Sequence, residues 1–134
     1  MSRIVPLMLA AAMLAGCMTE PSPERAARTD AALARELSGR VVAGPAESCV
    51  SQRSLRGNRS AGEGAIIFDG PGDLVYVNRP PAGCPILDSG RALITRTTSS
   101  QLCRGDIVTV VDPVSGIQYG GCGLGDFMPY RRLD

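Results

Sequence analysis

The sequence lacks histidine, tryptophan and lysine, so all 14 of its basic residues are arginines. Without histidine or lysine, the chain cannot hold a Ser-His-Asp triad, a Cys-His pair, a histidine metal ligand, a Schiff-base lysine or a Walker-type phosphate loop. The 13 acidic residues leave a formal charge of +1, which argues against a nucleic-acid partner because such proteins carry a basic excess. The 134 residues suffice for one small domain.

The N-terminal residues have the pattern of an export signal. Arg3 gives a positive start, and the run from Ile4 to Leu14 is apolar apart from Pro6. A run of about eleven residues is too short to span a bilayer as a stable helix, but it suits the apolar region of a signal peptide. We therefore predict that residues 1–16 are a signal peptide, whose removal takes away Arg3 and leaves a formally neutral chain.

The end of this run resembles a bacterial lipobox, with Leu14, Ala15 and Gly16 as the cleavage flank before Cys17. The resemblance implies a diacylglycerol on the Cys17 thiol, cleavage before this residue and acylation of its new amine. Several acyl chains give stable membrane anchoring. Position 18 is Met rather than Asp, and by the enterobacterial sorting rule this implies the outer membrane. The alternative is an ordinary secretory signal in which Cys17 has no role.

Residues 17–47 are predicted to be the lipidated cysteine and a tether. Ser22 is placed to cap a short helix that Gly39 would end. Only Leu33 and Leu37 form an apolar pair at helical spacing, so the apolar face is too thin to anchor a core. We predict a solvated helical or disordered spacer, and the alternative is a helix that binds a partner.

Residues 48–134 are predicted to form a small, mainly β domain, because short β-rich runs alternate with turn residues. The expected architecture is a small antiparallel sheet, a sandwich or a partly closed barrel. The expected strands are 50–55, 64–68 and 74–78 as a hairpin, 91–97, 106–112, and 117–120 after a turn at 113–116.

Four cysteines remain once Cys17 is lipidated, and an even number in an exported chain predicts two disulfides. Native disulfides in small secreted domains contribute about 2–5 kcal/mol each, which matters where aromatic core residues are few. Three pairings are open. We favour Cys49–Cys122, which would tie the start of the domain to its end. The second bond would then be Cys84–Cys103. A zinc site or a redox pair is the alternative, but no two cysteines have C-x-x-C spacing, so we expect no metal and no cofactor.

The remaining acid–base groups are carboxylates, and we predict no catalytic residues among them. Six aspartates of the domain lie beside Gly, Pro or Ser or at the end of a predicted strand, where the side chain satisfies local backbone N–H groups. A glycosidase would need two facing carboxylates, and no pair is marked by the sequence. The glycines around Cys122 predict close backbone approach rather than a dinucleotide loop. The aspartates concerned are Asp69, Asp73, Asp88, Asp106, Asp112 and Asp126.

The C-terminal segment is a candidate interaction patch, since tyrosine and arginine are frequent at binding hot spots. The alternative is that its aromatic residues complete the core and its arginines are solvated. The residues of this patch are Phe127, Tyr130, Arg131 and Arg132.

Five segments carry a family resemblance that spans about residues 49–130. They are Cys49-Val50, Val75 to Arg79, Cys84 to Leu87, Leu102 to Ile107, and Gly121 to Phe127. On these the mature chain resembles a group of small proteobacterial lipoproteins that share a domain of unknown function, DUF6491. The resemblance implies an exported disulfide scaffold and brings no catalytic residues.

The leading hypothesis is a lipid-anchored envelope lipoprotein on the periplasmic face of the outer membrane. It would be a non-catalytic structural or interaction module, with the membrane and an envelope protein as partners. The alternative is a periplasmic inhibitor similar to the envelope lysozyme inhibitors, which are small disulfide-linked β-barrel lipoproteins. It would insert the loop of Cys122 or that of Pro80-Pro81 into an enzyme cleft. An enzyme that uses two carboxylates is the third hypothesis.

Overall fold

The computed structural model describes residues 21–84, 86–87 and 90–133. The predicted signal peptide, its cleavage flank Leu14, Ala15 and Gly16, and the predicted lipidation site Cys17 lie outside the described residues.

The described chain is mainly β, as predicted, with one helix and ten strands in those residues. The helix is α1 (Pro23–Glu36), and a 3₁₀ turn covers Gln52–Ser54. The strands are β1 (Arg40–Val42), β2 (Cys49–Ser51), β3 (Gly57–Ala61), β4 (Ala65–Asp69), β5 (Val75–Asn78), β6 (Ala92–Thr95), β7 (Gln101–Cys103), β8 (Ile107–Val111), β9 (Gln118–Gly123) and β10 (Phe127–Arg132).

These strands form three antiparallel sheets. The largest has the order β1-β10-β5-β4-β3, the second β6-β8-β9, and the third is the pair β2-β7. The hairpins β4-β5 and β8-β9 were both predicted and are confirmed. Within the described residues the outer strands of the large sheet are β1 and β3, which do not pair with each other, so this sheet stays open and no closed barrel forms.

The predicted strand at 50–55 is wrong beyond its first residues. β2 ends at Ser51 and the chain makes a 3₁₀ turn before β3 begins at Gly57. The Gln52 side chain accounts for the turn, because it donates to Thr95 Oγ1 at 2.9 Å and accepts from Thr97 Oγ1 at 3.0 Å. These two bonds hold the turn against the end of β6 and remove residues 52–54 from the extended conformation.

Strand β4 separates two apolar clusters, one on each face of the large sheet. Ile66 and Phe68 point into the main core, where the three sheets meet. Ala65 and Ile67 point to the opposite face, into a smaller cluster beneath α1. Because successive side chains of a strand alternate between faces, a strand covered on both sides reads as a continuous apolar run.

The helix is placed as predicted, but the prediction of a solvated spacer is wrong. Ser22 Oγ accepts from Arg25 N at 3.4 Å, and Gly39, three residues after the helix end, has a φ of 71°. Leu33 is only 4% exposed and lies in the smaller cluster. Thr29 is buried too, and its Oγ1 accepts from Gly64 N at 3.1 Å. The helix therefore packs on the sheet.

Small residues on the sheet explain why so thin an apolar face suffices. A Cβ on Gly62 would lie 2.6 Å from Thr29 Oγ1, and one on Gly64 would lie 2.9 Å from the same atom. The absence of these side chains lets the helix backbone approach closely, so Leu33 and Ala32 are enough apolar residues on the helix to fill the contact. Together with β1, which pairs with β10, the described part of the predicted tether belongs to the folded unit.

Candidate functional site

Two disulfides form, as predicted, but the favoured pairing is wrong. Cys49 bonds to Cys103 with a Cα–Cα distance of 4.0 Å, and Cys84 bonds to Cys122 with a Cα–Cα distance of 5.4 Å. The first pair lies directly opposite in the β2-β7 register. The second pair is buried in the main core. Hydrogen bonds of β1 and of Glu47 with β10, rather than a disulfide, join the segment just before the predicted domain to its C-terminal strand.

The predicted interaction patch does not form as one surface. Phe127 and Tyr130 are three residues apart on β10, so their side chains point to opposite faces of the sheet. Phe127 is fully buried in the main core, 5.6 Å from the ring of Phe68 and 6.2 Å edge-on from that of Tyr76. Tyr130 packs against the smaller cluster. The alternative, that these rings complete the core, is confirmed.

The arginines of that patch are tied to the β4-β5 turn. Arg131 Nη1 lies 3.2 Å from Asp73 Oδ1, and the backbone N–H of Arg132 donates to Asp73 Oδ2 at 3.0 Å. The bond from Arg132 is the main reason that the pKa of Asp73 lies below its ordinary value, with the charge of Arg131 acting in the same direction. Arg56 donates to the carbonyls of Gly70 and Gly72 of the same turn. These arginines therefore stabilise the β4-β5 turn.

Arg59 joins the helix to the sheet. Its guanidinium donates to Glu36 at the end of α1 and to Asp69 at the end of β4, each at 2.7 Å. The hydrogen bond to Glu36 is the largest contribution that raises the pKa of Arg59 above its ordinary value, and the bond to Asp69 adds to it. All three side chains are about one-third exposed, so solvent screens the pairs and their net contribution is modest.

The predicted capping role is confirmed for two of the aspartates, whereas Asp69 and Asp73 bind arginines as described above. Asp106 Oδ2 accepts from Cys103 N at 2.7 Å, and Asp112 Oδ1 accepts from Val114 N at 2.8 Å. The bond from Val114 is the main cause of a lowered pKa at Asp112. Asp88 lies outside the described residues. Asp126 instead forms an exposed ion pair with Arg104, 3.4 Å between Oδ1 and Nη1.

A buried amide clamp, which the sequence reasoning missed, holds the glycine-rich segment. Asn78 is fully buried, and its side chain donates to Gly125 O at 2.8 Å and accepts from Gly125 N at 2.9 Å. A Cβ on Gly125 would collide with the carbonyl oxygen of Arg79. The prediction that these glycines serve close backbone approach therefore holds at Gly125. The available signal was the Asn that ends the apolar run of β5.

An open cleft of about 580 Å³ lies between α1 and the segment Arg79–Cys84. Ala26 and Thr29 line the helix side, and the turn at Glu63 closes one end. The backbone N–H of Cys84 donates to Glu63 O at 2.8 Å and fixes the opposite wall. The sequence did not predict this cleft, because it exists only through the unexpected docking of the helix.

Charged and apolar side chains both line the cleft, and apolar groups make up most of its surface. Arg25 Nε lies 3.3 Å from Glu63 Oε2. That oxygen is buried and makes no hydrogen bond within the described residues, so the ion pair is the contact that offsets its burial. The lining residues that are neither charged nor hydroxyl-bearing are Pro, Ala, Gly and the disulfide-bonded Cys84. Such a site favours an apolar ligand over a reacting polar one.

Of the two segments considered for an inhibitor, the first is a strand rather than a loop, and the second has the exposed Pro81 next to a buried residue. The segment around Cys122 is strand β9, with the cysteine buried in its disulfide. Pro80 is buried, and Pro81 lines the cleft. The exposed apolar tip is instead the β8-β9 turn, where Val114 is 96% exposed.

A comparison with protein-family models, curated proteins and solved structures found no match to this chain. Over residues 21–84, 86–87 and 90–133, no helix has both the length and the apolar character required to cross a membrane. In the same residues no three side chains of the types Cys, Asp and Glu come together as a metal-binding group.

Proposed function

We propose that this chain is a lipid-anchored envelope lipoprotein and acts as a non-catalytic structural or protein-interaction module facing the periplasm. The observation that supports the proposal is the pairing of the cysteines. Four of the five pair with one another inside the domain, which leaves Cys17, directly after the apolar run and the Leu-Ala-Gly flank, as the odd one. Membership of the DUF6491-type group is part of the proposal and rests on the five segments quoted above.

The disulfides support an exported location, since such bonds persist in oxidising compartments. The Cys84–Cys122 bond lies within the main core, where it is part of the packing. A chain that needs this bond to complete its core is suited to the periplasm. The residue after Cys17 is Met18, which supports the outer membrane as the destination under the sorting rule.

The non-catalytic role is supported by the occupation of the carboxylates. Asp106 and Asp112 accept backbone N–H groups, and Asp69 and Asp73 bind arginines. General acid–base catalysis needs a carboxylate that is free to exchange a proton with a substrate, and it commonly uses a raised pKa. The pKa values of Asp73 and Asp112 both lie below the ordinary value because of backbone hydrogen bonds, which keeps these carboxylates ionised.

The experiment compares three forms of the full-length chain grown with an alkyne analogue of palmitate. The wild type should be labelled and recovered with membranes, whereas Cys17→Ser should lose the label. Met18→Asp is the matched control, because it keeps the thiol; it should remain labelled and move from the outer to the inner membrane fraction. Persistent labelling of Cys17→Ser would contradict the lipoprotein assignment.

A second candidate function is inhibition of a periplasmic enzyme by insertion of a loop. The observation that favours it is the preorganised β8-β9 turn, in which the carboxylate of Asp112 accepts from the N–H groups of Val114 and Ser115 while the valine side chain projects into solvent. A rigid apolar tip loses little freedom on binding. If purified protein at high molar excess leaves lysozyme activity unchanged, the lysozyme version of this candidate is excluded.

A further inference from the structure

The cleft between α1 and the segment Arg79–Cys84 lies where the described chain begins. Pro21, the first described residue, is itself part of its lining. Cys17 lies four positions before it in the sequence, and an extended chain spans at most about 14 Å over that separation. Any group attached covalently to Cys17 is therefore confined to the neighbourhood of this cleft.

We propose that the cleft binds one acyl chain of the lipid on Cys17 when no bilayer is present to receive it. This inference rests on the proposed lipidation of Cys17. The cleft volume of about 580 Å³ falls in the range of about 300–1,000 Å³ that small-molecule sites occupy. The outer membrane as destination requires the lipidated chain to leave one bilayer and enter another, and an exposed acyl chain in water is unfavourable.

The character of the lining favours a methylene chain over a protein partner. Ala26 and Ala82 present methyl groups, and Pro80 and Pro81 present ring carbons. No aromatic side chain is among the described residues that line the cleft, so it lacks the large anchors that dominate protein–protein hot spots. Four charged residues also line the cleft, but most of its surface is apolar.

When a bilayer is present, the acyl chain should insert into it in preference to the cleft. A bilayer surrounds an acyl chain on all sides, while an open cleft covers it only in part, and apolar stabilisation is roughly proportional to the area removed from water. Occupation of the cleft should therefore be low in membranes and high in water. This difference gives the experiment its readout.

The test uses lipoprotein labelled in cells with a photoactivatable palmitate. One sample is irradiated in native membranes and another after extraction in detergent and dilution below the micelle-forming concentration. Cross-links within the same chain are then mapped by mass spectrometry of peptides. We expect cross-links to residues 80–84 to rise at least fivefold in the diluted sample relative to the membrane sample.

Two variants place a charge in the cleft from opposite walls, Ala82→Glu and Ala26→Glu. Each should return the cross-linking of residues 80–84 to the level seen in membranes. Ala46→Glu, at an exposed loop position outside the cleft, is the matched control and should behave as the wild type. Both cleft positions are exposed, so the variants should fold, and circular dichroism checks this.

The outcomes separate this inference from the proposal on which it rests. If the wild-type chain takes up no photoactivatable palmitate, the proposed lipidation itself fails. If the chain is labelled but its cross-links in the diluted sample are spread evenly, or are unchanged in both cleft variants, the acyl-binding cleft is refuted and the lipoprotein assignment stands.

Discussion

Removal of the Cys84–Cys122 disulfide should destabilise the fold more than removal of the Cys49–Cys103 disulfide. The perturbation is a pair of alanine substitutions at each bond. The two bonds close loops of similar length, with sequence separations of 38 and 54 residues. They differ in their surroundings, because Cys84 and Cys122 are buried in the main core whereas Cys49 and Cys103 are partly exposed in the two-stranded sheet.

The chain-entropy model alone predicts the opposite order. It gives about 3.9 kcal/mol for the shorter loop and about 4.2 kcal/mol for the longer one. The burial of Cys84 and Cys122 in the main core reverses this order of stability losses. Each buried sulfur atom replaced by a void adds about 1 kcal/mol, as for a methyl-sized cavity. The expected losses in unfolding free energy are therefore about 5–6 kcal/mol without Cys84–Cys122 and about 4 kcal/mol without Cys49–Cys103.

Urea unfolding of residues 18–134, which contain every described element, measures both losses through the midpoint and the slope. Reduced wild-type protein is the control, since it loses both cross-links and keeps every sulfur atom. The reasoning is refuted if the variant without Cys49–Cys103 is the less stable of the two. It is refuted equally if either variant loses less than about 1 kcal/mol, because both estimates contain a loop-entropy contribution of about 4 kcal/mol.

Three further predictions concern the helix, the amide clamp and a capped turn. Leu33→Ala should lower the free energy of unfolding in urea by about 2–4 kcal/mol because the side chain is buried beneath α1. In the control Leu133→Ala, where the side chain is 66% exposed, the free energy of unfolding should change by less than about 0.5 kcal/mol. Equal losses in the two variants would mean that the helix is not docked. Asn78→Ala should cost about 2–3 kcal/mol because it leaves the N–H and C=O of Gly125 unpaired, and a loss below about 0.5 kcal/mol would argue against the clamp. The pKa of Asp112 lies below its ordinary value of 3.8 because of backbone N–H bonds, so its stabilisation is present above that pH and is lost as the pH falls through the lowered pKa. Asp112→Asn should remove this part of the acid sensitivity, and a carboxyl pKa at or above 3.8 by NMR would contradict the assignment.

Local chemistry made the hairpins and the helix predictable. The turn after β8 has Asp112 at its start and Gly116 at its end, residue types that are common in turns, and a backbone bond from Gly116 N to Asp112 O closes it. The helix begins after Ser22 because that hydroxyl caps a free backbone N–H. Such signals lie within a few residues of the structure they specify, so a single sequence contains them.

The disulfide pairing could not be predicted from the sequence because it depends on the register between strands that are distant along the chain. Cys49 meets Cys103 only because β2 and β7 pair residue for residue, and the spacing of the cysteines along the chain carries no trace of this. The docking of α1 was missed for a related reason. The helix packs against Gly62 and Gly64. In a sequence these glycines indicate a turn, but in the structure they provide the space that the helix occupies. The cleft beside the helix is a consequence of that docking and was equally hidden.

The arrangement of charge in the fold limits how a partner can be found. The chain carries a formal charge of only +1, and several of its arginines are already engaged. Arg59 binds two carboxylates, Arg131 binds Asp73, and Arg56 binds two backbone carbonyls. A partner that used these guanidinium groups would have to break contacts that hold the β4-β5 turn and the helix. Long-range electrostatic attraction of the kind that accelerates association is correspondingly weak. The proposed lipid anchor would compensate, because attachment to a membrane holds the module near other envelope proteins and raises its effective concentration without any charge on its surface.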